Sequence, residues 1–338
     1  MKTKRHGEEE WERHGDMPDG VPGQLMMMKT KKQREEDWDR LSDLPDDILL
    51  HIVKLLSTKQ AVQTGFLSKR WKDIWKCGLT NLKFSWADFW DVANFNKCVS
   101  LVLSSQNCSS SSLHSLELSF CCFIRSKPVD RELQSRVIRY AVLHSVQHVT
   151  IDIELTFSLT PEFQLPPIMF SCPSLTFLNI CIDNKQKIKL PKSFHLPALR
   201  SLYLAYVTFT ASDDNDCVEP FSTCNMLNTL VIQFCYLDFY AHVLHISNSN
   251  LSSLTIRHCH AYYKIALSTP NLTSLTIRGT PILQLSFKCN LSFLDEVYID
   301  ASARFERVLD IDTRRKRDLV IINLLQVLAN DSVVRPMN

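Results

Sequence analysis

Glycine is scarce in this sequence: seven residues in 338, six of them before residue 80. Neither GxGxxG nor GxxxxGK[ST] can be written, which excludes a glycine loop wrapped around a phosphate. GxSxG is missing too, and with it the sharp elbow that exposes a nucleophilic serine. Long apolar runs are absent. The stretch from Leu319 to Ala329 is broken by Asn323 and Gln326, and nothing approaches the ~18 residues that span a bilayer. The opening MKTKRHGEEEWERHGD holds no apolar signal region. Charge of one sign is lacking as well: 38 basic and 36 acidic side chains leave +2, so neither nucleic acid nor membrane is an expected partner. The expectation is an intracellular protein of the cytoplasm and/or nucleus. With 45% apolar and 22% charged residues, its composition is that of an ordinary soluble chain.

Twelve cysteines are present but no CxxC pair. Without a secretory context they are read as reduced, small apolar side chains. His258-Cys259-His260 is no metal cluster, because adjacent residues on a strand point to opposite faces. The acidic run Ser212-Asp213-Asp214-Asn215-Asp216 lacks the regular calcium-loop spacing and reads as a solvated turn. No cofactor and no metal are expected. Histidines, serines and acids occur, but no spacing joins them into a catalytic site, so the chain is read as non-catalytic.

Residues 1–39 are polar and charged, and disorder is expected. Residues 1–21 align without gaps on residues 28–48, an offset of 27, as a partial duplicate whose helix is cut off at Pro22-Gly23. The full version begins at Leu44-Pro45-Asp46-Asp47, where proline suits a first helical turn and the acids oppose the helix dipole. The helix that follows is apolar on two faces: Ile48, Ile52 and Leu55 on one, Leu49, Val53 and Leu56 on the other. Thr58 and Ser68 are expected to cap two more helices, the last carrying Trp71 and Trp75 four residues apart. Three helices in about 40 residues rarely bury enough surface to fold alone, so the second apolar face needs a partner or a neighbouring domain.

The string LSDLPDDILLHIVKLLSTKQAVQTGFLSKRWKDIW resembles an F-box of the plant form, in order and spacing. The resemblance implies docking on the Skp-type adaptor of an SCF ubiquitin ligase, and through it on cullin. By position, Leu44 and Pro45 would enter the adaptor's groove. Ile48, Leu49, Ile52, Leu55, Leu56, Val62, Leu67 and Trp71 would divide between that groove and the module's interior. Trp75 is read as core.

From residue 79 the pattern L-x-x-L-x-L recurs nine times, with Val, Ile or Phe allowed. It begins at Leu79, Leu113, Val146, Leu175, Leu199, Leu227, Leu251, Leu272 and Leu294, at spacings of 34, 33, 29, 24, 28, 24, 21 and 22. The later spacings are those of leucine-rich repeats; the earlier ones leave room for helices near 95–106 and 131–145. A doubly wound sheet is excluded, since units of 21 and 22 residues cannot hold a strand, a helix and two loops. The fold class is therefore α/β: a short three-helix F-box (40–80), then an irregular leucine-rich-repeat solenoid or horseshoe with parallel strands (81–300). This region resembles the repeats of plant F-box/LRR proteins of the FBD-associated type.

Residues alternating with the core leucines line the concave face of such a solenoid. The protein-substrate candidates there are Glu117, Asp152, Tyr203, Gln233, Arg257, Arg278 and Tyr298, a row that runs from acidic through aromatic to basic. Residues 301–338 hold one expected helix over Leu319–Leu328 and no further strand pattern, so the FBD segment of the family is expected to be absent or cut short. The resemblance implies a substrate-recognition adaptor of an SCF-type ligase, with a protein substrate the sequence does not name. The alternative is a repeat scaffold without ligase activity, a truncated paralogue.

Overall fold

Helix α1 (Asp46–Leu55) follows directly on Pro45, whose missing N–H costs nothing there. In this computed structural model the described residues are 41, 43–89, 91–105, 112–122, 131–155, 165–184, 188–211, 216–259, 264–279 and 284–300. The readings of residues 1–39, of 212–215, of His260 and of 301–338 lie outside them. The chain divides into two units, residues 1–46 and 47–338. In the first, a turn in which the Leu44 N–H donates to the Leu41 carbonyl precedes Pro45.

The second unit opens with the rest of α1, then α2 (Thr58–Thr64) and α3 (Lys69–Gly78). Ser68 caps α3 by accepting from the Trp71 N–H. The cap of α2 is Ser57 rather than the expected Thr58. Ser57 and Gln60 form a reciprocal capping box, which satisfies two backbone donors where Thr58 alone would satisfy one. Leu49, Val53, Ala61, Val62, Trp71, Ile74 and Trp75 are buried and form the interior of the three helices.

Thr58 is buried and has another task. Its hydroxyl accepts from the Lys83 N–H at 2.7 Å. Lys83 lies in β1 (Asn81–Ser85), the edge strand of the main sheet. The helical module therefore covers that edge, whose outward N–H groups would otherwise be open to pairing.

The main sheet has nine strands, all parallel, in the order β1, β2 (Ser115–Cys122), β3 (His148–Leu155), β4 (Phe177–Asn184), β6 (Ser201–Ala205), β9 (Thr229–Gln233), β12 (Ser253–Arg257), β14 (Ser274–Arg278) and β16 (Glu296–Asp300). Sequence order and spatial order agree, as in stacked coils. The return segments change along the stack. After β1 and β2 they hold helices α4 (Val92–Ser105) and α5 (Arg131–Leu143). After β3 comes a 3-10 turn, Pro167–Ser171. Later coils return through short strands. A three-stranded sheet holds β5 (Ile188–Lys189), β7 (Val207–Phe209) and β10 (Tyr236–Leu237). A four-stranded sheet holds β8 (Cys217–Val218), β11 (Val243–Ser247), β13 (Lys264–Ser268) and β15 (Gln284–Phe287). Coil length decides between these: 33 or 34 residues accommodate a helix, whereas 21 or 22 leave room only for an extended return.

The leucine ladder is in register throughout. Leu82, Leu116, Val149, Leu178, Leu202, Leu230, Leu254, Leu275 and Val297 are successive Cα partners. All are buried until the last, Val297, which is 37% exposed. Each coil thus covers the apolar side of its neighbour, at about 25 cal/mol for each Å² removed from water. Asparagines tie the coils laterally. The Asn250 and Asn271 side chains donate to the Asn225 and Ser249 carbonyls, and Asn248, buried, donates to the Phe221 and Cys224 carbonyls. Asn250-Leu251-Ser252 and Asn271-Leu272-Thr273 each have the N-x-[ST] form, and here both asparagine amides serve the backbone. Among the described residues, no helix is long and apolar enough to cross a membrane.

Candidate binding surfaces

The spacing of α1 decides how its two apolar faces are used. Leu49 and Val53, four residues apart, point into the module and are fully buried. Ile48 and Leu55 point outward, 45% and 75% exposed, with Ile52 and Leu56 half-buried between the two faces. Past α2, Phe66 and Leu67 are exposed as well. Leu49, Val62 and Trp71, counted among the adaptor-facing candidates, are buried, so their contacts are internal. Leu44 is half-buried and Pro45 exposed. The sequence reading did not single out Phe66. Its one signal was an aromatic residue between Gly65 and Ser68, outside the helical spacing of either flanking helix.

Close packing fixes the module. A Cβ on Gly65 would lie 2.7 Å from the Trp75 indole nitrogen, and one on Gly78 would lie 3.0 Å from a Val53 methyl. Lys59 reaches toward the Asp88 carbonyl and lies 5.0 Å over the Phe89 ring.

The second surface is the face of the main sheet opposite the leucine ladder. All seven substrate candidates lie on it, in two registered rows. The first runs Lys83, Glu117, Thr150, Asn179, Tyr203, Val231, Thr255, Thr276, Tyr298. The second runs Ser119, Asp152, Cys181, Ala205, Gln233, Arg257, Arg278, Asp300. Lys83 and Glu117 form an ion pair at 2.7 Å. The carboxylates of Asp152, Glu154 and Asp183 gather on β3 and β4, all three exposed. Burial, and after it these carboxylates, push the Cys181 thiol up to about 11. At the other end, Arg278 lies 4.7 Å over the Tyr298 ring. The Arg257 Nε is buried without a hydrogen-bond partner.

Two aromatic arrays border these rows, and neither was picked out from the sequence. Across the N-terminal coils, His114, His148, Phe177 and Tyr203 are in successive ring contact, at 4.6, 5.9 and 5.4 Å. His148 and Phe177 immediately precede the second leucine position of their coils, a place that also projects to this face. Burial, and after it the neighbouring His114, lower the pKa of His148. Along the rim, Tyr206, Phe234 and His258 stack nearly parallel at centroid spacings of 4.8 and 4.8 Å.

Cys259 is buried and its Sγ donates weakly to the Ile232 carbonyl at 3.9 Å, while His258 belongs to the rim stack. Among the described residues, no group of three or more His, Cys, Asp or Glu side chains is placed to hold a metal ion.

Residues 41–77 match the family model of the F-box domain. Residues 134–294 match the model for the LRR repeats of the FBD-associated F-box protein At5g56370. The chain carries an F-box followed by FBD-associated leucine-rich repeats. Its relatives include Arabidopsis thaliana proteins at about the same distance. The F-box/LRR-repeat protein At3g58980 is 29% identical over 82% of this chain and 47% of its own length. The putative FBD-associated F-box protein At5g22720 is 28% identical over 63% of this chain and 43% of its own. F-box/LRR-repeat protein 13 is 30% identical over 61% and 43%. The chain spans about half the length of the curated relatives it matches. No solved structure matches it. The exposed apolar side of α1 is thus the outer side of an F-box, and the registered rows are the open face of its repeats.

Proposed function

We propose that this chain is the substrate-recognition adaptor of an SCF-type E3 ubiquitin ligase, acting in the cytoplasm and/or nucleus as a non-catalytic subunit. Its F-box docks on a Skp-type adaptor and through it on cullin; the open face of its repeats holds a protein substrate. The observation that carries this reading is the division of α1. Leu49 and Val53 fill the module, which leaves Ile48 and Leu55 as apolar side chains with no internal use. An apolar surface of this kind, beside exposed Phe66 and Leu67, suits a hydrophobic groove on a partner. The resemblance to the F-box family adds Leu44 and Pro45 as adaptor contacts.

Co-expression with a plant Skp-type adaptor tests it. Wild type co-purifies with the adaptor. Leu44→Ala/Pro45→Ala and Ile48→Asp/Leu55→Asp each lose co-purification, by about ten-fold or more, because a central contact of this size contributes ~2 kcal/mol. Both variants keep the circular dichroism of the wild type. A folded wild-type chain that fails to bind the adaptor overturns the ligase reading in favour of a repeat scaffold.

A further inference from the structure

We propose that the open face of the main sheet recognises a protein segment of divided charge, cationic at one end and carrying carboxylate or phosphate at the other. This deepens, and rests on, the reading of that face as the substrate surface.

The argument begins with where the charges sit. Asp152, Glu154 and Asp183 lie on β3 and β4; Arg257 and Arg278 lie on β12 and β14. Two of the contacts within these groups set like charges directly opposite each other, Glu154 beside Asp183 and Arg257 beside Arg278. Like charges at opposed positions oppose sheet formation. Both groups are thus set against the stability of the sheet, and each offers concentrated charge to a ligand of the other sign. Between them, Ala205 and Gln233 leave the second row neutral, while Tyr203 offers a ring to the middle of a ligand. Asp300 stands beside Arg278 in the register, so the anionic end of the ligand is assigned chiefly to Arg257, whose Nε is buried without a hydrogen-bond partner.

The sheet also sets the spacing. β4 and β12 are three strands apart and β3 and β14 five, in the order β3, β4, β6, β9, β12, β14. At ~4.8 Å per strand the opposed charges stand roughly 14–24 Å apart. An extended segment covers that in about four to seven residues.

The test is an array of random 12-residue peptides probed with the labelled full chain. Peptides with Lys or Arg separated by four to seven residues from Asp, Glu or phosphoserine are enriched about ten-fold over peptides of the same composition with the charges interleaved. Asp152→Lys/Asp183→Lys and Arg257→Glu/Arg278→Glu each lose that enrichment, and the four substitutions together restore it. Phosphoserine binding more tightly than glutamate assigns the anionic end to phosphate; equal binding assigns it to carboxylate. Enrichment of single-sign or uncharged peptides overturns the proposal. So does an array with nothing above background, or charge-reversed variants that select the wild-type peptides with an unchanged melting temperature. The adaptor co-purification above reads α1 to α3 and not this face. Arg257→Glu/Arg278→Glu therefore still co-purifies, and peptide selection by a chain that fails to bind the adaptor overturns the ligase reading alone.

Discussion

Tyr206, Phe234, His258 and Gly279 each follow the last residue of a main-sheet strand, and each has a left-handed backbone, with φ of 60°, 49°, 50° and 61°. Their N–H groups donate in turn to the Gln233, Arg257, Arg278 and Asp300 carbonyls of the next coil. The hydrogen bond demands the conformation, which costs an L residue about 1–2 kcal/mol. The stacked rings offset part of that cost, at about 0.5–1.5 kcal/mol for a pair. At the fourth position the ring of His258 already fills the space: a Cβ on Gly279 would lie 2.1 Å from its Nδ1. Gly279→Ala should therefore destabilise the fold by about 2 kcal/mol or more, from backbone strain and the clash together. In urea titrations the added His258→Ala substitution should recover the clash and leave the strain. An unchanged midpoint for Gly279→Ala would refute this account. The left-handed run was illegible in the sequence because tyrosine and phenylalanine carry no positive-φ signal and a single histidine only a weak one; the lone late glycine was the other hint.

At the scale of elements, the joint between F-box and repeats turns on Thr58. Its position after Ser57 looks like a helix cap, and the sequence reading took it for one. The choice between two adjacent hydroxyl residues depends on what stands outside the helix, and here that is the edge of β1. Thr58→Val keeps the shape and removes the acceptor, so the part-buried hydrogen bond from the Lys83 N–H is lost, at about 0.5–1.5 kcal/mol. Hydrogen exchange at the Lys83 amide should accelerate in step. A loss below about 0.5 kcal/mol, within the range of an indifferent surface substitution, would show that the joint rests on packing alone. The strands themselves were plain in the sequence, since all nine triplets fall on main-sheet strands or on the turns that lead into them. What periodicity could not supply was the inner and outer side of α1. Ile48 and Leu49 are equally apolar neighbours, and only the packing of α2 and α3 separates them.

Across the whole molecule, thiols stand in for aliphatic side chains in coil after coil. Burial pushes Cys98 and Cys224 up to about 11, from an ordinary value of 9.0. Cys235, deeper still, is raised well above it. The sign of the linkage follows. Above pH 9 the unfolded chain sheds thiol protons that the folded chain keeps, so stability falls as pH rises from about 9 toward 11 and is intact below that window. Melting temperatures from pH 8 to 11 should decline accordingly, and Cys224→Ala should decline less steeply than wild type, after a constant loss for the smaller side chain. Parallel profiles would mean the thiol does not titrate with unfolding. The concave-face candidates were legible in position, because strand alternation fixes which residues share a side. Their run from acidic to basic was legible too; what the register adds is Glu154 side by side with Asp183 at the acidic end, two carboxylates outside the candidate row.

Because every coil adds one strand at the same register, the separation of the acidic and basic groups is counted in whole strands. Removing residues 227–250, one complete repeat, would bring both arginines one notch nearer the carboxylates and leave every other contact of the ladder to re-form with an equivalent neighbour. Losing a single residue within a strand would instead turn its leucines outward. The molecule is in this sense a ruler with discrete marks. Gain or loss of a repeat would retune the length it measures in steps of ~4.8 Å without altering any residue that does the measuring.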